Sequence, residues 1–407
     1  MNAIAIVVAI PVFFALIGIE LAVSLRSGRR LYRFHDAITS LDCGVVQQAT
    51  AVFLRGAIIG AYVWLHERFA VLEISAESVL AWVVLFFGVD LAYYWFHRAS
   101  HRVNAIWATH VVHHQSEEYN LTTALRQSAL QGAAAAAFYW PLAIAGFPPA
   151  MFVAMSTANT LYQFWIHTRL IRRLPRPLEL VLNTPSHHRV HHGIDPAYID
   201  KNYGGILIVW DRVFGTFAAE GREEPSYGTV KPLSSWSPIW ANFEVWARLW
   251  EVSKRTRRWR DKVWIWLAPP EWLPDDHGGV VTIPEVDREA RVLYETPSVR
   301  ALHGYVALQF ALLGGATAVL LVISESGSAL ELGALASWIV ASTAAWGALF
   351  ESERWGRALE IARVLAMPLL VGWLSGAAWA AVPAALVALG SLAWLGRIPR
   401  DTAAARA

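Results

Sequence analysis

Long apolar stretches alternate with short polar segments along most of the chain. Single stretches of this kind lie near residues 3–25, 46–65, 79–96, 301–323, 331–350, 358–374 and 377–396. The longer stretch 130–166 has room for two helices joined by a turn at 146–149, which contains a glycine and two prolines. Because a spanning helix needs about 20 mostly apolar residues, the pattern predicts an all-α, polytopic membrane protein with about nine transmembrane helices.

The polar regions divide the chain into four segments. Residues 1–78 and 301–407 are predicted as the N-terminal and C-terminal transmembrane helices, and 79–220 as a catalytic domain because it holds most of the histidines. Between 236 and 272, tryptophans alternate with lysines and arginines. This composition is typical of helices in the lipid headgroup layer, so 221–300 is predicted as a cytoplasmic interfacial segment. Packing of these tryptophans inside the helix bundle is the alternative.

The composition agrees with a membrane protein. Hydrophobic residues make up 56% of the 407 residues and charged residues only 16%, whereas a soluble domain carries about 25% charged residues. The net charge of +2 is too balanced for a nucleic-acid binder, so no nucleic-acid partner is expected. The single cysteine, Cys43, excludes an intramolecular disulfide and any site built from several thiolates.

Basic residues predict how the chain is oriented in the membrane. Four arginines, at positions 26, 29, 30 and 33, follow the first apolar stretch, and loops rich in Lys and Arg remain in the cytoplasm. The N-terminus is therefore expected outside. An odd number of spans then places the arginine-bearing C-terminus in the cytoplasm, together with 98–126 and 167–300.

Histidine is the residue type that points to chemistry. Ten of the 14 histidines fall between residues 97 and 192, and most of these ten repeat at spacings of three or four, which share one face of a helix. Imidazoles held at this spacing are a common metal-binding arrangement. The candidate metal ligands are His97, His101, His110, His113, His114, His167, His188, His191 and His192.

The number of candidate ligands indicates more than one ion. A zinc site uses about four ligands, so nine imidazoles suit two octahedral ions with positions left open. Neutral imidazole binds iron, copper, nickel and zinc, and the ligand type alone does not choose among them. Since His97 and His167 each end an apolar stretch, we expect a helical di-metal cap at the cytoplasmic edge of the membrane. His187 is expected to support this centre without binding an ion.

Other polar residues are candidates for supporting roles. Asp90 lies two helical turns before His97 and, with Glu118, is a candidate catalytic carboxylate that moderates the charge of the ions and orients the rings. A salt bridge from Asp90 to Arg98 or Arg126 is the alternative. Two sets of residues complete the prediction: Asn120, Arg126 and Gln127 as substrate contacts or helix supports, and 202–205 as a turn that leads into a strand at 206–210.

The histidine motifs carry a family resemblance over about residues 80–220. Asp90-Leu-Ala-Tyr-Tyr-Trp-Phe-His97-Arg-x-x-His101, Trp107-x-x-His110-x-x-His113-His114 and His188-x-x-His191-His192 resemble the eight-histidine signature of the fatty acid hydroxylase and sterol desaturase superfamily. The segments around Asn120–Ser128, Asn183–Gly193, Ile199–Gly205 and Trp210–Phe217 are similar to its alkylglycerol monooxygenase branch.

The resemblance implies a bacterial inner-membrane enzyme in which two iron ions activate O₂ and insert oxygen into a lipid alkyl chain. In the branch, hydroxylation beside the ether oxygen cleaves alkylglycerols, and tetrahydrobiopterin is the reductant. Animal members have an acidic residue after the second histidine, where this chain has Arg102, so a ferredoxin or reductase protein is the alternative electron donor.

Two alternative functions remain open. A lipid or sterol desaturase or C-hydroxylase of the same superfamily would use the same oxidant on a membrane lipid. A histidine-rich metal transporter or sensor would instead distribute its histidines along a path through the membrane. Under the enzyme hypothesis, the lipid chain is expected to enter from the bilayer between the third and fifth spans, where hydrocarbon is most stable.

Overall fold

The computed structural model describes residues 3–399, with side chains from residue 8 onward. Residues 400–407, two of whose arginines support the expected orientation, lie outside this range. The described residues form seventeen α-helices and a few 3₁₀ turns, without a β-strand. The α-helices are α1 Ala3–Arg26, α2 Phe34–Phe69, α3 Val79–Arg102, α4 Asn104–Trp107, α5 Val111–His114, α6 Leu121–Ala124, α7 Gln131–Ala145, α8 Pro149–Trp165, α9 Arg176–Val181, α10 Pro185–His191, α11 Val209–Val213, α12 Pro238–Arg255, α13 Trp259–Leu267, α14 Arg300–Val322, α15 Ala329–Phe350, α16 Arg354–Ser375 and α17 Ala381–Arg397.

Seven of the described helices are long and apolar enough to cross a membrane: α1, α2, α3, α14, α15, α16 and α17. The stretch expected to provide two further spans forms α7 and α8, which have only 15 and 17 residues. Because residues 130–166 also contain the turn between these helices, each helix is shorter than the about 20 residues of a spanning helix. The described residues therefore contain seven helices long enough to span a membrane and one shorter helical hairpin.

The α7–α8 hairpin is docked at its tip against the loop that joins α2 and α3. The Val71 amide donates a hydrogen bond to the Ile144 carbonyl oxygen at 2.8 Å. Gly146 ends α7 with φ +107°, and a Cβ at this position would lie 1.9 Å from the Leu72 carbonyl oxygen. Both the left-handed backbone and the close approach require glycine. Since α7 also packs against α2 and α3, the hairpin is fixed along its length.

The last four long helices form a bundle around a polar core. Glu360 and Arg363, both on α16, are buried and form an ion pair. The Tyr305 hydroxyl donates to Glu360 at 2.5 Å, and Arg363 donates to the Gln309 amide oxygen at 2.8 Å. Gln309 in turn donates to Ser391 at 2.7 Å. The ion pair and these additional hydrogen bonds offset part of the large desolvation penalty of burying two charges.

The tryptophans of the 221–300 segment have two different environments. One set, which includes Trp246, Trp266 and Trp272, packs against buried residues of α4, α5, α12 and α13. The other set is exposed, with 43–70% of each residue accessible, and consists of Trp240, Trp250, Trp259 and Trp264. Packing therefore accounts for the first set, and the exposed set leaves an apolar face that is compatible with the predicted headgroup contact.

Candidate metal centre

The nine histidines predicted as ligands come from four places in the chain. His97 and His101 lie on the last turns of α3, and His110, His113 and His114 lie on or directly before α5. His167 follows α8, and the remaining three lie on or directly after α10. Pro185 begins α10 at a position where a missing amide hydrogen costs nothing. Eight of the nine residues are buried, and 10% of the His101 side chain is accessible.

The structure brings these nine side chains together in two groups. Within each group, one nitrogen of every ring lies within 4.8 Å of one nitrogen of every other ring. The groups mix residues from distant parts of the chain, which local spacing could not reveal. Group A contains His97, His101, His110, His114 and His191, and group B contains His113, His167, His188 and His192.

Backbone carbonyl groups determine which nitrogen of several rings is free. A carbonyl oxygen can only accept a hydrogen bond, so the Nδ1 atom that contacts it carries the proton and Nε2 keeps its lone pair. Four rings have this arrangement. The pairs are His97 Nδ1 with Tyr203 O at 2.8 Å, His113 Nδ1 with Arg126 O at 3.0 Å, His167 Nδ1 with Gln163 O at 2.7 Å and His191 Nδ1 with Lys201 O at 2.9 Å.

The free nitrogens face each other in an arrangement that fits a bound cation. In group B, the Nε2 atoms of His113 and His167 lie 3.2 Å apart, although both rings already donate through Nδ1. Burial lowers the pKa of His167 to about 4 and that of His113 well below its usual value, so a second proton does not relieve the repulsion at neutral pH. A bound metal ion between the rings would.

Unsatisfied nitrogens support the same conclusion. Among the described residues, the buried Nε2 atoms of His101, His191 and His192 have no hydrogen-bond partner. Buried polar atoms are rarely left unpaired, and an imidazole nitrogen with a lone pair is a metal ligand. The donor set of the two groups therefore fits metal ions, as the sequence spacing predicts.

Two carboxylates hold the loop that orients His97. Asp211 accepts hydrogen bonds from the Tyr203 and Gly204 amides at 2.8 and 2.7 Å, and the Tyr203 carbonyl oxygen accepts from His97. Asp90 accepts from the Ile206 amide at 2.7 Å and from the Trp210 indole at 2.9 Å. Asp90 thus holds the loop that lies behind the His97 ring. Asp90 takes part in no ion pair among the described residues, so its alternative role in a salt bridge is not observed.

The strand predicted at 206–210 is wrong. Only an isolated bridge between Leu182 and Leu207 forms, and Val209 already begins α11. The Asp90 carboxylate explains this geometry, because it accepts the amide hydrogens of Ile206 and Leu207, which a neighbouring strand would otherwise bind. Gly205 permits the contact, since a Cβ there would lie 2.8 Å from the Asp90 Oδ1 atom.

The other predicted site residues lie around the centre with different partners. Glu118 forms ion pairs with Arg33 at 3.0 Å and Arg169 at 2.7 Å. Asn120 caps α6 and donates to the Leu31 carbonyl oxygen at 2.8 Å. These contacts join segments that are far apart in the sequence, and Glu118 is outside both histidine groups.

Arg126 and Gln127 are the remaining two candidates, and each has a different position near the centre. Arg126 donates to the Val112 carbonyl oxygen at 2.7 Å, next to the histidines of α5. Gln127 lines a cavity at the centre. His187 is outside both groups and contacts Glu179 at 3.2 Å, and its supporting role stays a prediction.

An apolar cavity of about 390 Å³ leads from the membrane helices to the centre. Its wall is formed by α1, α2, α3, α7, α8 and α14, and it reaches His110, His113 and His167. Cavities of this size and lining bind small molecules and single lipid chains. The sequence predicts that a lipid chain enters between the third and fifth spans, which correspond to α3, α7 and α8. The position of the cavity fits this prediction.

Two glutamines lie at the end of this cavity. Gln131 accepts at 2.8 Å from His110 Nδ1, and Gln163 lies four residues before His167, whose Nδ1 donates to the Gln163 carbonyl oxygen. Both side chains line the cavity. Gln131 was missed by the sequence analysis, because it is 21 residues from its histidine and no local spacing connects the two.

Comparisons with known proteins agree with this site. The sequence model of the fatty acid hydroxylase family matches residues 82–216, which include all nine histidines. An alkylglycerol monooxygenase of Danio rerio is 39% identical over 369 residues, which are 89% of this chain and 81% of the relative. The human alkylglycerol monooxygenase is 42% identical over 308 residues, 75% of this chain and 68% of the relative.

A more distant similarity extends to bacteria. An ornithine lipid hydroxylase of Rhizobium tropici is 29% identical over 149 residues, which are 35% of this chain and 41% of the relative. No solved structure matches the chain significantly. The three relatives described here are thus named for the oxidation of a lipid.

Proposed function

The chain belongs to the alkylglycerol monooxygenase family, and from this premise we propose that it hydroxylates an ether-linked glycerolipid at the carbon next to the ether oxygen. It is a membrane lipid monooxygenase. The observation that carries the proposal is the apolar cavity, which begins among the membrane helices and ends at three of the nine clustered histidines.

The proposed reaction needs an oxidant that protein side chains cannot provide. Two iron ions held by the nine rings would supply it from O₂. One oxygen atom enters the carbon–hydrogen bond and the other leaves as water, so the reaction takes up two electrons and two protons. The product is a hemiacetal, which breaks into a fatty aldehyde and a glycerol derivative.

The chain's own residues position the lipid. The apolar wall of the cavity binds the alkyl chain and excludes water, because burial of apolar surface is favourable. At the inner end, the side-chain amides of Gln127 and Gln131 lie beside His113 and His110, and the Gln163 side chain also lines the cavity. These amides would accommodate the ether and hydroxyl oxygens, so that the adjacent carbon faces the rings.

We propose the same orientation in the membrane as the sequence predicts. If α7 and α8 enter and leave on one side, seven spans remain, and an odd number still puts the N-terminus outside and the C-terminus inside. The metal centre follows the C-terminal end of α3 and would lie on the cytoplasmic side. Nine spans would give the same result, and a bacterial inner membrane is the proposed location.

A hydroxylase that leaves an ether bond intact is the second candidate. The similarity to an ornithine lipid hydroxylase favours it, because that relative matches 149 residues. Convergence of the nine histidines in two adjacent groups, in place of a path through the membrane, supports an enzyme over a transporter or sensor.

Product analysis separates these candidates. Purified protein in detergent is supplied with iron, a reductant, ¹⁸O₂ and an alkylglycerol that is deuterated at the carbon next to the ether oxygen. The proposed function predicts a fatty aldehyde labelled with ¹⁸O and reduced in deuterium, measured by mass spectrometry. A stable hydroxylated ether would support the second candidate, and an O₂-independent product would contradict both.

A further inference from the structure

The helices α12 and α13 each expose an apolar face. On α12, residues 240, 243, 247 and 250 are exposed, and on α13 residues 259, 263 and 267 are exposed. Spacings of three or four share one side of a helix, so each set forms a continuous stripe. Except for Ala247, these residues and Trp264 are large and apolar, with 43–70% of each accessible. Together they form the platform face, which consists of Trp240, Phe243, Ala247, Trp250, Trp259, Val263, Trp264 and Leu267.

The opposite faces of the same two helices pack beside the metal centre. They share a buried cluster with α4 and α5 that consists of Ala108, Val111, Val245, Leu249 and Ile265. Ala108 and Val111 flank His110, and the Gln115 amide group donates to the Ala241 carbonyl oxygen at 3.2 Å. Because both helices turn their buried sides toward this cluster, the platform face points away from the histidines.

Hydrogen bonds tie both helices to the ends of helices that extend into the membrane region. Asn242 of α12 accepts at 2.9 Å from the Ala129 amide, two residues before α7 begins. The side-chain amide of Asn104, two residues after the end of α3, donates at 2.9 Å to the Ile265 carbonyl oxygen of α13. Since α3 is long and apolar enough to cross a membrane, the platform face lies near the level at which α3 would leave it.

Basic residues cluster where the two helices meet. Six lysines and arginines lie between residues 254 and 262, and only one acidic residue falls within this range. Some of the six have acidic partners, such as Asp275, which lies 3.5 Å from Arg258. The exposed Arg257 and Arg260 form no ion pair within the described part of the chain. Positive charge therefore remains uncompensated directly beside the aromatic surface.

We propose that the platform face binds anionic phospholipids of the leaflet next to the metal centre. The aromatic and aliphatic side chains enter the boundary between headgroups and acyl chains, where tryptophan is favoured because its ring is apolar and its N–H group is polar. The basic cluster binds the phosphates, which attract exposed arginines. A second copy of the chain would bring another basic cluster to this surface, so an anionic membrane is the complementary partner. Such lipid binding is independent of the proposed reaction.

Fluorescence quenching at single positions in nanodiscs tests the proposal. Phe243→Cys and Val263→Cys place a fluorophore on the platform face, and Val292→Cys places it on an exposed position between α13 and α14. The native Cys43 is buried and adds little background. The discs contain equal amounts of phosphatidylcholine and phosphatidylglycerol, and a trace of one of them carries a spin label near its headgroup. We expect quenching on the platform face to be at least twofold stronger with labelled phosphatidylglycerol, and little quenching at position 292.

A charge variant separates the anionic preference from simple contact with lipid. Arg257→Gln combined with Arg260→Gln removes the two unpaired charges and leaves the apolar stripes intact. In this variant the ratio of the two quenching values should fall toward one, while phosphatidylcholine still quenches the fluorophore. Arg222→Gln removes an exposed arginine outside the platform face and should keep the ratio. High salt should act like the charge variant, because it screens exposed charges.

Three results would overturn the proposal. Absence of quenching at positions 243 and 263 would show that the platform face does not touch lipid. Equal quenching by the two lipids in the wild-type background would remove the anionic preference. Two chains per disc that cross-link through the Phe243→Cys thiols would show that the face is a contact between copies. No lipid oxidation is measured, so these results and the test of the proposed function can fail separately.

Discussion

A backbone carbonyl oxygen behind an imidazole decides which ring nitrogen can bind an ion. His113 illustrates this, because its Nδ1 donates to the Arg126 carbonyl oxygen and its Nε2 faces that of His167. Such contacts come from residues whose side chains give no signal. The Lys201 and Tyr203 carbonyl groups accept from His191 and His97 in the same way.

Replacement of one ring should remove one ion. We expect His113→Ala to lower iron content from about two to about one ion per chain and to abolish product, because group B keeps only three rings. Elemental analysis of purified protein measures this. His187→Ala is the matched control, since His187 is buried nearby but lies outside both groups, and it should retain both ions. Equal iron content in the two variants would contradict the assignment.

The buried rings also predict how the stability of the metal-free protein depends on pH. Burial lowers the pKa of His167 to about 4 and that of His191 to about 3, whereas an unfolded histidine has a pKa of about 6.5. Between these values the unfolded state binds more protons, so stability decreases as pH falls from about 6.5 toward 4.

The melting temperature of chelator-treated protein in detergent, measured from pH 8 to pH 4, tests this prediction. It should be nearly constant above about pH 7 and should fall steadily below about pH 6.5. Iron-loaded protein is the comparison, because bound ions compete with protons and should move the decrease to lower pH. A melting temperature that rises on acidification would contradict the prediction.

At the level of helices, the α7–α8 hairpin depends on one backbone conformation. Gly146 combines φ +107° with a position where a Cβ would lie 1.9 Å from the Leu72 carbonyl oxygen. Gly132, on the same helix, differs because the nearest atom to its added Cβ is the Ile58 Cδ1 atom at an ordinary 3.8 Å. The two glycines therefore form a matched pair within one helix.

We expect Gly146→Val to destabilise the protein strongly, by about 3 kcal/mol or more, through backbone strain and displacement of the α2–α3 loop. Gly132→Ala should be neutral or slightly stabilising, because alanine favours helix. Thermal unfolding in detergent distinguishes the two variants. Equal melting temperatures would show that the hairpin tip is not packed against the loop as described.

Particular elements also show what the sequence could predict. The spacing of three and four along α3, α5 and α10 predicted the histidines that converge, because this period is local to one helix. Their division into groups A and B depends on contacts such as that between His97 and His191, which are 94 positions apart in the sequence. The apolar length of 130–166 predicted two helices joined by a turn, but it could not show that the two helices have only 15 and 17 residues.

At the scale of the whole molecule, the orientation in the membrane can be tested because the chain has a single native cysteine. Cys43 is buried and should give little background labelling. Glu77 lies in the exposed loop between α2 and α3, and Arg222 is exposed in the segment that follows the metal centre.

The proposed orientation puts these two positions on opposite sides. In intact bacterial cells, a membrane-impermeant maleimide should label Glu77→Cys and should not label Arg222→Cys. After the membrane is opened, both variants should react, which confirms that each thiol is accessible. Labelling of Arg222→Cys in intact cells would contradict the proposed topology.

The metal centre also borders a second cavity of about 380 Å³, which contacts His101, His114, His191 and His192 and shares no lining residue with the apolar cavity. A reactant that entered through this space would find it open while a lipid fills the other one. If both reactants are bound together before any product leaves, double-reciprocal plots at several fixed concentrations of the second reactant should intersect.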